Sequence, residues 1–230
     1  MHSDDRPETF LDGEATSRLY HVRFDEETRR RNTATWAVLC SRVFQRYVPE
    51  QGTVVDLGAG QCEFINHIRA ARRIAVDTNP ETRELAAPGV EVVESDIRTL
   101  AGVPRSCADA VFASNVLEHL PSKADLMAAL TAAREVLRPG GKLLVLGPNI
   151  RFAPGEYWDF LDHHIALSDR SVREALEIAG LAVREIRPRF LPLTRLGRLP
   201  QRPLLVRLYL SFPPAHRVLG KQFFIVGVRS

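Results

Sequence analysis

The sequence predicts an α/β fold: a doubly wound sheet of seven strands, mostly parallel, with helices on both faces. Three observations carry this expectation. Short apolar runs alternate with helical stretches five times between Thr53 and Leu146, the pattern of parallel strands joined by right-handed crossovers. The early runs end in a glycine turn or on an acid, at the strand ends where open α/β sheets bind ligands. Two further strand-like runs, about Ala182–Ile186 and Phe223–Val228, follow near the C-terminus.

The elements read as follows. Residues 1–23 form an arm that turns apolar near Leu19, Tyr20 and Val22. Residues 24–48 have helical character, with Trp36, Leu39, Val43 and Val48 roughly on one stripe that Pro49 closes. Residues 1–49 are expected to cap the active site, and residues 50–230 to form the main domain. The first strand, Thr53–Asp56, runs into Gly58 and Gly60, and a helix is expected from there to about Ala71. Arg73–Asp77 is the second strand, Pro80–Ala86 a short helix, and Val90–Glu94 the third strand. Ala108–Ala113 is the fourth strand, and Ser122–Leu137 a helix with an Ala/Leu face. Pro139, Gly140 and Gly141 break it, and Lys142–Leu146 is the fifth strand. Residues 147–167 are long for a passive connection in a compact domain, and Phe152, Tyr157, Trp158 and Phe160 argue that they are ordered. Ser168 caps a helix to Ala179, with Gly180 as its stop. This order of elements is Rossmann-like.

Length and composition narrow the function classes. The chain has 230 residues, 45% hydrophobic, with a formal charge of +3, enough for one domain with a sizeable core. That charge balance does not call for nucleic acid, and no recognition motif is present. Residues 1–9 lack the apolar core of a signal peptide, and no run approaches the roughly 20 apolar residues of a membrane span. Cys40, Cys62 and Cys107 are odd in number and show no CxxC spacing. They suggest neither a disulfide framework nor a zinc site, so a reduced, cytoplasmic setting is expected.

The strongest chemical signal is the strand–turn at Val54–Glu63. Gly58 and Gly60 allow a tight turn and a close approach to a ligand. A nicotinamide fingerprint would place a third glycine where Glu63 stands. An acid there repels a pyrophosphate but suits S-adenosylmethionine, which has no phosphate and carries an ammonium and a sulfonium. Asp56 adds to that acidity. Asp77, about 20 residues past the turn, can accept hydrogen bonds from ribose hydroxyls, and Asp96 can accept one from an adenine amino group.

With these residues the chain resembles the class I S-adenosylmethionine-dependent methyltransferases, of the small-molecule type that includes the ubiquinone-biosynthesis enzymes. The matching segments are VVDLGAG at 54–60, AVD at 75–77, SDI at 95–97, ADAVFASNVLEHL at 108–120 and LRPGGKLLVLGPN at 137–149. The resemblance implies that Gly58, Ala59 and Gly60 pass under the methionine part, with Asp56 near its amino group. It implies that Asp77, followed by Thr78, holds the ribose, that Asp96 and Ile97 flank the adenine, and that Asn115 sits close to the sulfonium. Cys62 departs from the pattern, because the family often has a small glycine there.

Candidate catalytic bases come from histidines. Methyl transfer to an alcohol requires the hydroxyl proton to leave, and imidazole suits that task. His163 and His164 lie in the segment after strand five, His164 being slightly preferred, with Asp159 or Asp162 available to orient them. The competing reading is a pair of histidines that pin the segment to the domain. His119 follows strand four in a Glu-His pair common in the family whether or not it is chemical. A metal held by Asp159, Asp162 and a histidine has no standard spacing, and none is expected. Tyr20 of the arm and Asn149, Tyr157 and Trp158 after strand five are expected at the acceptor.

The insert at about 188–221 lies in a stretch, Arg184 to Lys221, that has nine Lys/Arg against one acid, Glu185, interleaved with leucines. Such a surface suits phosphate groups, an anionic membrane or a lipid-linked substrate; a homodimer interface or a helical cap is the competing reading. The expected function is methyl transfer from S-adenosylmethionine to a hydroxyl of a small molecule, a sugar or other natural product. The alternatives are N-methylation of a small amine or amino sugar, and a non-catalytic cofactor-binding protein of the same fold.

Overall fold

The computed structural model describes residues 26–193 and 202–230. Seven strands form one sheet: β1 (Thr53–Leu57), β2 (Arg72–Asp77), β3 (Val90–Glu94), β4 (Ala108–Ser114), β5 (Leu137–Pro148), β6 (Leu181–Leu191) and β7 (Gln222–Arg229). Their spatial order is β3-β2-β1-β4-β5-β7-β6. The first five pair in parallel, and β7 runs antiparallel to both β5 and β6. The chain reverses direction outward from β1, so the ends of β1 and β4 form the crevice where such a sheet binds ligands.

Side chains alternate along the central strands of this sheet, because successive residues of a strand face opposite sides. Val55, Val111, Val145 and Ile225 face one core, which α3 (Lys123–Val136) and α4 (Asp169–Ile178) cover through Leu126, Leu130, Val172 and Leu176. Val54, Phe112, Leu144 and Phe224 face the other. There α1 (Glu26–Arg42) brings Leu39 and Cys40, and the single turn Phe44–Tyr47 brings Phe44. Phe44 lies 5.0 Å from the ring of Phe112 and 5.6 Å from that of Phe224. The helices thus lie on both faces, as expected. Residues 26–49, expected to cap the active site together with the arm, contribute Leu39, Cys40, Val43, Phe44, Tyr47 and Val48 to the domain's own core; the arm falls outside the described residues.

Two helix ends are written in the sequence. Ser122 accepts the Asp125 amide at the start of α3, and Ser168 forms a capping box with Ser171 at the start of α4. Gly180, at φ +80°, then ends α4. One expected helix is absent. Residues 61–71 make isolated turns, with amides three or four residues ahead of their acceptors, such as His67 to Phe64 and Asn66 to Cys62. The left-handed backbone at Cys62, φ 58°, interrupts a regular ladder at its first turn. Phe64, Ile65 and Ile68 are still buried. The remaining helices are short: α2 (Thr82–Leu85) after β2, and α5 (Pro203–Ser211) and α6 (Pro213–Leu219) in the insert.

Candidate functional site

The glycine turn is built by backbone constraint. The amides of Gly58 and Ala59 donate to the Val76 carbonyl at 2.8 and 3.1 Å, tying the end of β1 to β2. Gly58 sits at φ +65°, and a Cβ there would lie 2.4 Å from Cγ2 of Val116. Backbone conformation and the packed end of β4 therefore both demand glycine. Gly60 is also left-handed, and its amide donates to Asp77 Oδ2 at 2.7 Å. Asp77 Oδ1 accepts the Asn79 amide at 2.8 Å. Cys62, the departure from the family pattern, has φ 58°. That is a conformation in which glycine would be unstrained, and the buried thiol packs there against Thr82.

This strand end is acidic. Asp56 is 3% exposed, and burial, then the nearby Asp77 and Glu63, raise its pKa well above the usual carboxylate range. Asp77 is raised by burial too, against amide donors from Asn79, Gly60 and Thr78. Three carboxyl groups, Asp56, Asp77 and Glu63, converge on a glycine turn, and desolvated acids of this kind are stabilised by a bound positive charge. This donor set fits S-adenosylmethionine: the acids match its ammonium and sulfonium, and Asp77 matches vicinal hydroxyls. Thr78 is exposed, Ala59 and Ile97 are buried, and Asn115 is exposed at the crevice. Asn115 has φ +49°, a turn that asparagine tolerates better than most residues, and its amide donates to Leu146 at 2.9 Å.

Asp96 is held by a residue the sequence reading passed over. Arg98 donates to Asp96 Oδ2 from Nε at 2.8 Å and to Asp125 Oδ1 from Nη1 at 2.8 Å. The Asp-x-Arg spacing was the available signal. The arginine bridges the end of β3 to the first turn of α3 and orients the Asp96 carboxylate.

The second half of the site lies where residues 149–167 fold back on the end of β4. His119 ends the turn Leu117–His119. Its Nδ1 lies 2.8 Å from the Asp162 carbonyl oxygen and 3.3 Å from Asp162 Oδ2. Both partners only accept, so Nδ1 carries the proton and Nε2 keeps a lone pair. The His163 ring lies 5.0 Å from that of His119 and stacks on Phe160 at 4.9 Å. Glu118, 1% exposed, completes a group in which one donor atom from each of Glu118, His119 and His163 lies within 4.8 Å of the others. Burial raises the Glu118 pKa, and the neighbouring His119 opposes the rise. His164 attaches through its backbone, its amide donating to the Glu118 carbonyl at 2.9 Å.

Two residues expected at the acceptor are buried and hydrogen-bonded within the chain. Asn149 is fully buried, its side-chain amide donating to Asp169 Oδ1 at 2.8 Å and the Pro188 carbonyl at 2.9 Å. Tyr157 is fully buried as well; its hydroxyl donates to the Ile165 carbonyl at 2.7 Å and accepts the Leu167 amide at 2.9 Å. A long loop has buried backbone groups to satisfy, and these two side chains satisfy them. Trp158 is 51% exposed beside Tyr157, and Tyr20 lies outside the described residues.

A glycine-turned, acid-lined strand end on a sheet of this order and direction defines the class I S-adenosylmethionine-dependent methyltransferase fold. Residues 55–145 match the family model described as a methyltransferase domain. Over those residues the chain carries a methyltransferase domain. Among solved structures, it is similar to an S-adenosylmethionine-dependent methyltransferase from Archaeoglobus fulgidus, with 19% identity over 93% of this chain and 99% of that one, at a TM-score of 0.64. A Haloferax volcanii chain, from a complex of the Trm112 methyltransferase activator with a methyltransferase, is 20% identical over 88% of this chain and 91% of its own, at 0.63. A Burkholderia thailandensis 1,6-didemethyltoxoflavin-N1-methyltransferase, solved with 1,6-didemethyltoxoflavin and S-adenosylhomocysteine, is 16% identical over 95% and 87%, at 0.57. A search of curated protein sequences finds no match. No helix among the described residues is long and apolar enough to cross a membrane.

Proposed function

We propose that the enzyme methylates a hydroxyl oxygen of a small molecule, a sugar or another natural product, with His119 as the group that accepts the hydroxyl proton. The observation that carries this reading is the pairing of His119 Nδ1 with Asp162 at 2.8 and 3.3 Å. A carboxylate at Nδ1 fixes the tautomer and stabilises the imidazolium that forms when Nε2 takes a proton. The same geometry favours His119 over His163, which is 9% exposed, and over His164, which is tied by its backbone. When bound, S-adenosylmethionine supplies an electrophilic methyl group. Asn115 and the His119 turn, both at the end of β4, bring the acceptor oxygen toward it, and this positioning is a large share of the catalysis. Trp158 and the folded-back segment exclude water from the site.

The test starts with a panel of matched hydroxyl- and amine-bearing sugars and natural products, read by mass for the gain of one methyl group. On the acceptor so found, His119→Ala should lower turnover by about a hundredfold or more, while calorimetry shows unchanged affinity for S-adenosylmethionine. Methylation of the amines alone, or near-normal turnover of His119→Ala, overturns the reading.

A further inference from the structure

Helices α5 and α6 bury none of their residues, yet α5 is apolar on two sides. Val206, Tyr209 and Leu210 turn inward against the core that α1 covers, and the Tyr209 hydroxyl donates to the Phe190 carbonyl at 2.6 Å. On the other side Leu204 and Leu208, spaced four residues apart, are 66% and 57% exposed, and Phe212, just past the helix end, is 60% exposed. A surface helix already docked by one face has no use in water for a second apolar face.

Leu208 also lines a cavity of about 290 Å³. Its other walls include Arg42 at the end of α1, Arg46 in the following turn, Arg187 on β6 and Arg207 on α5. Glu185 engages two of these, accepting from Arg46 at 3.3 Å and from Arg187 at 2.7 Å. Arg42 and Arg207 have no carboxylate partner among the described residues. His216 on the same wall lies with Nε2 3.0 Å from the Tyr209 carbonyl, and burial lowers its pKa, so the cavity's charge is carried by the guanidinium groups. Several guanidiniums around one opening repel each other unless an anion joins them, and their planar forks match phosphate oxygens. Cationic cavity and apolar stripe meet at Arg207 and Leu208, so the complementary ligand is an amphiphile with a phosphate head.

We infer that α5, α6 and the arginine-lined cavity form a docking surface for an anionic phospholipid membrane. A lipid phosphate sits among the four arginines while Leu204, Leu208 and Phe212 enter the boundary with the acyl chains. Such a surface lies on the membrane and does not span it. This inference does not depend on where the methyl group goes.

The experiment is co-sedimentation of the full chain with vesicles of phosphatidylcholine alone, and of phosphatidylcholine containing phosphatidylglycerol. The protein should be retained by the anionic vesicles and released as salt rises, because screening weakens exposed charges. Each arginine near an anionic surface contributes roughly fivefold in partitioning. The double variant Arg42→Ala, Arg207→Ala should therefore bind about 25-fold more weakly. Leu208→Ser with Phe212→Ser should also weaken retention, with binding of S-adenosylmethionine unchanged in both variants as the control for folding. Equal retention on neutral and anionic vesicles, or none on either, overturns the inference. So does binding of free inorganic diphosphate that needs the arginines while the apolar pair is without effect on vesicles. Concentration-dependent dimerisation abolished by Leu208→Ser, without vesicle binding, overturns it in favour of a second copy.

Discussion

Asp56 shows at the scale of one residue how binding competes with stability. Its carboxyl is buried at the end of β1, and burial, with Asp77 and Glu63 adding to it, raises its pKa well above the usual range. Below the ordinary carboxylate pKa the group is protonated both folded and unfolded, and its burial is tolerated. As pH rises through the raised value, the folded state must either hold the proton or bury an anion, and stability falls. A cationic cofactor reverses this by favouring the ionised form. Asp56→Asn should accordingly raise the melting temperature of the cofactor-free protein by roughly 2–4 °C for each kcal/mol regained. The gain should be near zero in acid and largest at neutral pH, in melts run across that range. The same variant should bind S-adenosylmethionine more weakly, and wild-type binding should release protons, seen as a calorimetric heat that changes with the buffer's ionisation enthalpy. A variant that melts no higher at neutral pH than in acid, relative to wild type, contradicts the argument. The acid was legible in the sequence as a candidate beside the glycine turn. Its complete burial was not, because that depends on the layer that α1 and residues 61–68 place over it.

At the scale of elements, the segment after β5 shows where composition misleads. Its aromatic residues read as an acceptor wall, yet Tyr157 turns inward and its hydroxyl closes the fold-back between Ile165 and Leu167. Asn149 does the same at the segment's start, joining it to Asp169 of α4 and Pro188 of β6. Polar side chains in long loops first satisfy buried backbone groups, and nothing in linear spacing reveals which are spent that way. Tyr157→Phe leaves the Leu167 amide and the Ile165 carbonyl without that hydroxyl. Denaturant unfolding should show a loss of about 1–3 kcal/mol. Turnover should fall with it, since Asp162 and His163 ride on the same fold-back, while cofactor affinity stays unchanged. Full stability in the phenylalanine variant would assign the segment's order to other contacts. Where the signal is local, the elements matched their reading closely, as at Ser122, Ser168 and Gly180. The expected helix after the glycine turn failed because left-handed Cys62 lies at its first turn, and a cysteine gives no sequence cue for that conformation.

Across the whole molecule, the sheet carries one core on each face and leaves an acidic crevice between the ends of β1 and β4. A ligand that binds there joins β1, β2 and β4, and it is absent from the unfolded chain. At one hundred times its dissociation constant, S-adenosylmethionine should stabilise the fold by about 2.7 kcal/mol, raising the melting temperature by roughly 5–10 °C. S-adenosylhomocysteine should act in the same direction, and NAD should not. A matching shift with NAD would contradict the match between the acids and a cationic ligand.

What the sequence by itself determined was whatever rests on local periodicity and turn chemistry. The strand–helix alternation, the helix caps, the glycine turn and the acids at successive strand ends each depend on neighbours a few positions away. The tertiary structure alone decided what depends on residues far apart in the chain. It put His119 against Asp162, joined Arg98 to Asp125 and buried Asn149 and Tyr157. It also gathered Arg42, Arg46, Arg187 and Arg207 from four different segments around one cavity. Each of these depends on how the folded chain brings its segments together, so no reading of spacing along the chain could supply it.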